Sequence, residues 1–228
     1  MKFKNMIFGA LALAFVFVML TPVTKSMLTP QRCVKVIFLG NTAVGKTALL
    51  KRIVGECFSG DYSATIGLDC KNLHIGRYWN DLPEEMCLED NNSMCLRLFD
   101  TAGQEEYRAT TVNYIRGSKI AIIVFSIVDK GSFEAVEYWI NFLREHEDIG
   151  LILVANKTDL PRENWFANEE GIRKELGTLA LEFPVYFCSA KDGAGVDDLK
   201  INMFCLANDL QVIPSFEAEE LRENKECC

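Results

Sequence analysis

The stretch Gly40-Asn41-Thr42-Ala43-Val44-Gly45-Lys46-Thr47 constrains this chain more than any other, because it fits G-x-x-x-x-G-K-[ST] and follows an apolar run at 34–39. A buried strand, a glycine-bearing loop and a helix are expected in that order. Such a loop wraps closely, so that successive backbone N–H groups converge on phosphate oxygens at the positive end of the helix. Lys46 is then placed to reach β- and γ-phosphates. The Thr47 hydroxyl suits a phosphate-bound Mg²⁺, an ion that takes hard oxygen ligands and is usually shared between protein and nucleotide.

A chain of 228 residues with 49% hydrophobic content can bury one substantial core, so a single domain with appendages is expected. The net charge of −8 and a pI near 5.0 argue against nucleic acid as a partner, since a phosphate-backbone binder normally presents a basic face. Nine cysteines lie scattered without a CxxC pair, and the only histidines are His74 and His146. Neither zinc nor a disulfide framework is suggested, and reduced thiols are the plain reading.

At the amino terminus, Lys2 and Lys4 precede an apolar run at 6–20 that is followed by Pro22. It looks like a signal segment. As a helix the run would reach only about 22 Å, short of a bilayer core of about 30 Å. Lys25 and Arg32 balance Lys2 and Lys4 across it, so flanking charge does not set an orientation. Met27 stands just before the first expected strand. Three readings stay open: an upstream extension foreign to the working protein, a membrane anchor, or secretion.

Beyond the loop, residues 47–54 read as a helix with Leu49, Leu50 and Ile53 at helical spacing, ended by Gly55. A polar connection holding Phe58, Tyr62 and Thr65 leads to a candidate edge strand at 68–75. The segment Tyr62-Ser63-Ala64-Thr65-Ile66-Gly67 resembles the first switch of small GTPases of the Ras superfamily, in particular the Rab branch. The resemblance implies that Thr65 closes over the γ-phosphate and adds a second Mg²⁺ ligand when GTP is bound. It also implies that Phe58 packs against the guanine and that Tyr62 touches the nucleotide.

A strand at 96–99 runs into Asp100-Thr101-Ala102-Gly103-Gln104-Glu105. An acidic residue at a strand end beside a phosphate loop can hold Mg²⁺ through water, and Gly103 lets its own N–H meet the γ-phosphate. Gln104 resembles the glutamine that orients the attacking water. An amide is too weak a base to take the proton, so positioning is its expected part, with Lys46 and Thr65 as the other groups at the reacting phosphate.

Apolar runs at 120–125 and 151–155 suggest central parallel strands buried on both faces, with a helix between them capped by Ser132 and running to about residue 147. Asn156-Lys157-Thr158-Asp159 matches the family's NKxD motif at a strand end. A carboxylate there accepts hydrogen bonds from guanine N1–H and its amino group, a donor pair adenine does not present. The resemblance has Lys157 lie along the base, Asn156 tie this loop to the phosphate loop, and Leu160 border the nucleotide. After a charged helix near 168–182 and a strand near 184–188, Ser189-Ala190-Lys191 matches the last motif, with the Ala190 N–H meeting guanine O6.

These motifs span about residues 33–211, and the chain is identified as similar to Rab-like small GTPases. The implied fold is α/β: a single P-loop GTPase domain at 33–212, with a mostly parallel six-stranded sheet and helices on both faces. Residues 1–32 form the amino-terminal extension, and 213–228 an acidic tail ending Cys227-Cys228. The nucleotide set implied is Gly40, Asn41, Thr42, Ala43, Val44, Gly45, Lys46, Thr47 and Ala48, with Phe58, Tyr62, Thr65, Gly103, Asn156, Lys157, Asp159, Leu160, Ser189, Ala190 and Lys191. Thr47, Thr65 and, through water, Asp100 would hold Mg²⁺.

The implied activity is a GTP/GDP switch in membrane trafficking, with slow intrinsic hydrolysis. A GTPase-activating protein supplying an arginine, an exchange factor and effectors would act on it. Asn113-Tyr114-Ile115-Arg116-Gly117 supports the Rab branch, and Cys227-Cys228 resembles its double geranylgeranylation signal, served by prenylation escort machinery. Two lipids anchor where one is marginal. That matters here, since the tail from Ile213 carries five glutamates against Arg222 and Lys225 and would be repelled by an anionic leaflet. The expected location is the cytoplasmic face of an intracellular membrane, with a cytosolic pool.

Departures from the Rab pattern are Cys70 for phenylalanine, Phe99 for tryptophan, and Glu106-Tyr107 for arginine-phenylalanine, together with an acidic insertion at about 78–93. Effector identity therefore does not transfer. The rival readings are a nucleotide-locked scaffold without turnover, a Ras-like signalling GTPase outside the Rab branch, and a lumenal protein with a vestigial pocket. Retention of Gln104, Thr65 and Lys46 argues against the scaffold.

Overall fold

The computed structural model describes residues 32–60, 68–75, 94–101, 113–145 and 149–209. In its first strand, β1 (Arg32–Leu39), the side chains from Val34 onward alternate between two covered faces, as the pleat of a strand requires. Val34, Val36 and Phe38 enter one core and Ile37 and Leu39 the other. No polar side is left over, and the strand takes a central place in the sheet.

The sheet runs β2 (Leu68–Ile75), β3 (Met94–Thr101), β1, β4 (Ile120–Ser126), β5 (Gly150–Asn156), β6 (Val185–Phe187). All neighbours pair in parallel except β2, which lies antiparallel on β3 at the edge. Every residue of β4 is buried, as its continuous apolar run leads one to expect. The expected fold class, a mostly parallel six-stranded sheet with helices on both faces, is the one observed.

On one face, α1 (Lys46–Ile53) and α5 (Val196–Asp209) pack with Leu49, Leu50 and Ile53 against Leu199, Met203 and Phe204. The other face is covered by α2 (Lys130–Arg144) and α3 (Glu169–Leu176), followed by the short α4 (Leu179–Glu182). In α2, Phe133, Val136, Ile140 and Leu143 recur at three- and four-residue steps, which is one helical stripe.

Two boundaries differ from expectation. The cap of α2 is Asp129, whose Oδ1 accepts the Ser132 N–H at 3.3 Å, and Ser132 instead lies inside the first turn. There its hydroxyl donates to the Asp129 carbonyl at 2.7 Å and accepts the Ser126 N–H at 3.0 Å, tying the helix start to β4. The single helix expected over 168–182 is two, broken at Gly177, whose φ of 56° lies in the left-handed region. Asn168 caps the first of them through the Gly171 N–H at 2.8 Å.

Because five strands are parallel, the carboxyl ends of β1, β3, β4, β5 and β6 all reach the same edge of the sheet. In an open α/β sheet that edge is where ligands bind. The phosphate loop leaves β1 there, Asp100 stands there on β3, Asn156 closes β5, and Ser189 follows β6.

Candidate functional site

The loop between β1 and α1 is shaped by two glycines. Gly40 has φ 135°, and a Cβ on it would stand 2.1 Å from the Val124 carbonyl oxygen, so the loop can cross β4 only without a side chain. Gly45 has φ 98°, and its Cβ would stand 2.3 Å from Asn156 Nδ2. Lys46 is buried, and its ammonium donates to the carbonyls of Gly40 at 2.9 Å and Asn41 at 2.8 Å, closing the loop into an arch. Burial lowers its pKa to about 8, with the nearby Asp100 carboxylate working in the other direction.

At the start of α1, the Thr47 hydroxyl donates to Asp100 Oδ2 at 2.5 Å. A hydroxyl from the helix and a buried carboxylate from β3 thus meet beside the loop, and a pair of hard oxygens is the donor chemistry that Mg²⁺ selects. The residues present fit the ion. Thr47 and Asp100 would hold it, and when bound it supplies positive charge against the phosphate oxygens. Thr101, next on β3, is buried and donates its hydroxyl to the Phe38 carbonyl at 2.7 Å, which locks the end of β3 to β1.

The second half of the site is built around Asn156. Its Nδ2 donates to the Val44 carbonyl at 2.9 Å, and its Oδ1 accepts the Ala190 N–H at 3.1 Å. One side chain therefore joins the phosphate loop to the loop after β6, as the resemblance implied for the first half of that bridge. The Ala190 N–H, which the resemblance directs at guanine O6, is engaged here with Asn156. Asp159 Oδ1 accepts the Ser189 hydroxyl at 3.0 Å, and Oδ2 lies 3.7 Å from Lys191 Nζ. Lys157, between Asn156 and Asp159 in sequence, takes a left-handed φ of 71°. The Leu160 carbonyl accepts the Trp165 indole N–H at 2.9 Å. Phe58 is 41% exposed, open to cover an apolar ring.

The structure thus brings together Gly40, Asn41, Val44, Gly45, Lys46, Thr47, Asp100, Asn156, Asp159, Ser189, Ala190 and Lys191. Tyr62, Thr65, Gly103 and Gln104 lie outside the described residues, as do Cys227, Cys228 and the insertion at 78–93. A contact that the sequence reading missed comes from α2, where buried Trp139 donates its indole N–H to Asn41 Oδ1 at 3.3 Å. Its spacing marks it only as a core residue; nothing local signals that it faces the phosphate loop. Cys70 and Phe99, two departures from the Rab pattern, are direct cross-strand partners between β2 and β3.

A sequence model of the Ras family matches residues 35–206, well over half of the 228. The chain belongs to the Ras family. The match takes in all of α1, β2 to β6 and the loops that meet at the carboxyl edge. As a member of the Ras family it is a small GTPase switch that binds GTP and GDP with Mg²⁺, and it answers to activating proteins, exchange factors and effectors.

Proposed function

We propose that this GTPase is a Rab-type trafficking switch with slow intrinsic hydrolysis. The observation that carries the switch reading is the Asn156 bridge, because one side chain ties the phosphate-gripping loop to the base-reading loop. Bound nucleotide is then sensed at both ends by one framework. Lys46 and the loop amides hold the phosphates, Thr47 and Asp100 the Mg²⁺, and Asp159 accepts from the guanine donors. Thr65 and Gly103 would engage the γ-phosphate and relax when it leaves.

Gln104 would orient the attacking water. No arginine occurs between Ile53 and Gly76, so the first switch offers no internal arginine finger to offset charge on the leaving oxygen. An arginine supplied in trans would then accelerate hydrolysis by on the order of 10³ to 10⁵. The Rab branch rests on the Tyr62–Gly67 segment, on Asn113–Gly117 and on the Cys227-Cys228 pair. Geranylgeranyl groups there, loaded with the help of an escort protein, would hold the chain at the cytoplasmic face of an intracellular membrane and leave an escorted pool in the cytosol.

Phosphate release in a single turnover, with and without Mg²⁺, tests this reading. Slow Mg²⁺-dependent release is expected, with Gln104→Leu losing hydrolysis while keeping nucleotide affinity. Fast release without an activator, or parallel loss of binding and hydrolysis in Gln104→Leu, would refute it.

A further inference from the structure

Arg52, in the last turn of α1, reaches over to the loop after β6. Its Nε donates to the Ala190 carbonyl at 3.0 Å and its Nη2 to the Lys191 carbonyl. Its stem passes Gly193, where Cδ lies 3.8 Å from the place a Cβ would take. Two consecutive carbonyls held by one planar, forked cation fix two consecutive peptide planes.

In a trans peptide the N–H points opposite to the C=O, so a carbonyl turned toward Arg52 turns the following N–H the other way. The 191–192 peptide shows the result. The Asp192 N–H meets Ser189 Oγ at 3.1 Å, and that hydroxyl in turn donates to Asp159 Oδ1 at 3.0 Å. A contact made by the phosphate-loop helix is thereby passed to the carboxylate that reads the base.

We propose that Arg52 is a positioning residue for guanine selection: by clamping the Ala190 and Lys191 carbonyls it holds Ser189 against Asp159, so that the carboxylate meets guanine N1–H and the amino group in one orientation. This rests on Asp159 being the base-reading carboxylate. Lys46 and Arg52 sit on the same short helix, about 9 Å apart along its axis. The phosphate grip and the base grip are therefore coupled through α1 as well as through Asn156, and loosening Arg52 should shorten the residence of the whole nucleotide.

The test compares GDP, inosine diphosphate and ADP on the wild-type chain, Arg52→Ala and Arg52→Lys, with GDP dissociation followed by stopped flow. Inosine lacks the amino group, so it has already lost part of the Asp159 contact. In Arg52→Ala, GDP release is expected to accelerate on the order of tenfold, and the GDP-to-inosine-diphosphate affinity ratio to fall severalfold. Arg52→Lys, which keeps one charged donor group, should recover part of both.

Equal weakening of the two nucleotides, with the ratio left at its wild-type value, would overturn the proposal and leave Arg52 a brace for the fold. A wild-type chain that does not prefer GDP to ADP would overturn the base reading itself, which the wild-type arm reveals before any variant is compared. If Arg52→Ala does not fold, Arg52→Gln, with a shorter stem and one donor group, carries the same ratio.

Discussion

Asp159, the carboxylate proposed to read the base, is held by its neighbours. Ser189 fixes one oxygen and Lys191 faces the other, so the carboxylate can serve as a double acceptor for a base edge that offers two donors. Asp159→Asn replaces an acceptor with a donor and opposes the guanine amino group, while a base with a carbonyl at that position gains a partner. Guanine affinity is expected to fall by on the order of 10⁴, with xanthine nucleotides now preferred, in a competition assay against a fluorescent analogue. A variant that keeps its guanine preference would show that the base is read elsewhere. Cys188, behind this loop, donates its thiol to the Gly195 carbonyl at 3.3 Å, and burial together with the Asp198 carboxylate pushes its pKa up to about 12. Since the thiolate is the nucleophile, Cys188 should resist iodoacetamide at pH 8 in the folded chain while exposed Cys57 reacts. The folded state holds this proton more tightly than the unfolded state, so its contribution to stability is complete below about pH 9 and is lost as pH rises toward 12. Urea midpoints taken at pH 8 and pH 10.5 should therefore fall less for Cys188→Ala than for the wild type.

Among the elements, the strands were the most legible. The edge strand expected at 68–75 is β2, and the apolar runs at 120–125 and 151–155 are the cores of β4 and β5. Continuous apolar runs have few other ways to be buried, which is why length and composition sufficed there. Helix ends were less legible. Asp129 and Ser132 are both good capping residues three positions apart, and only the path of the chain leaving β4 decides which one faces the free N–H groups. Asp129→Ala should cost about 1 kcal/mol in a urea titration, the usual effect of losing a capping side chain. A neutral outcome would return the cap to Ser132. Gly177 falls inside the helix expected over 168–182, but its left-handed backbone separates α3 from α4.

For the molecule as a whole, the parallel sheet gathers the ends of β1, β3, β5 and β6 on one edge, so a nucleotide held there would join segments distant in the chain. A ligand that binds only the folded form stabilises it by mass action, about 4 kcal/mol at a thousandfold excess over Kd. Thermal melting with GDP and Mg²⁺ should therefore rise well above melting with GDP and a chelator, and Thr47→Ala should abolish that difference. An unchanged chelator effect in Thr47→Ala would move the ion away from the Thr47–Asp100 pair. The phosphate loop, the strand periodicities and the chemistry of each motif are short-range properties, and the sequence alone determined them because a few neighbouring residues define each. The partners across space were decided by tertiary structure: Asn156 to Ala190 over 34 positions, Arg52 to Ala190 over 138, Trp139 to Asn41 over 98. Strand order and register create such contacts, and no local pattern of side chains encodes them.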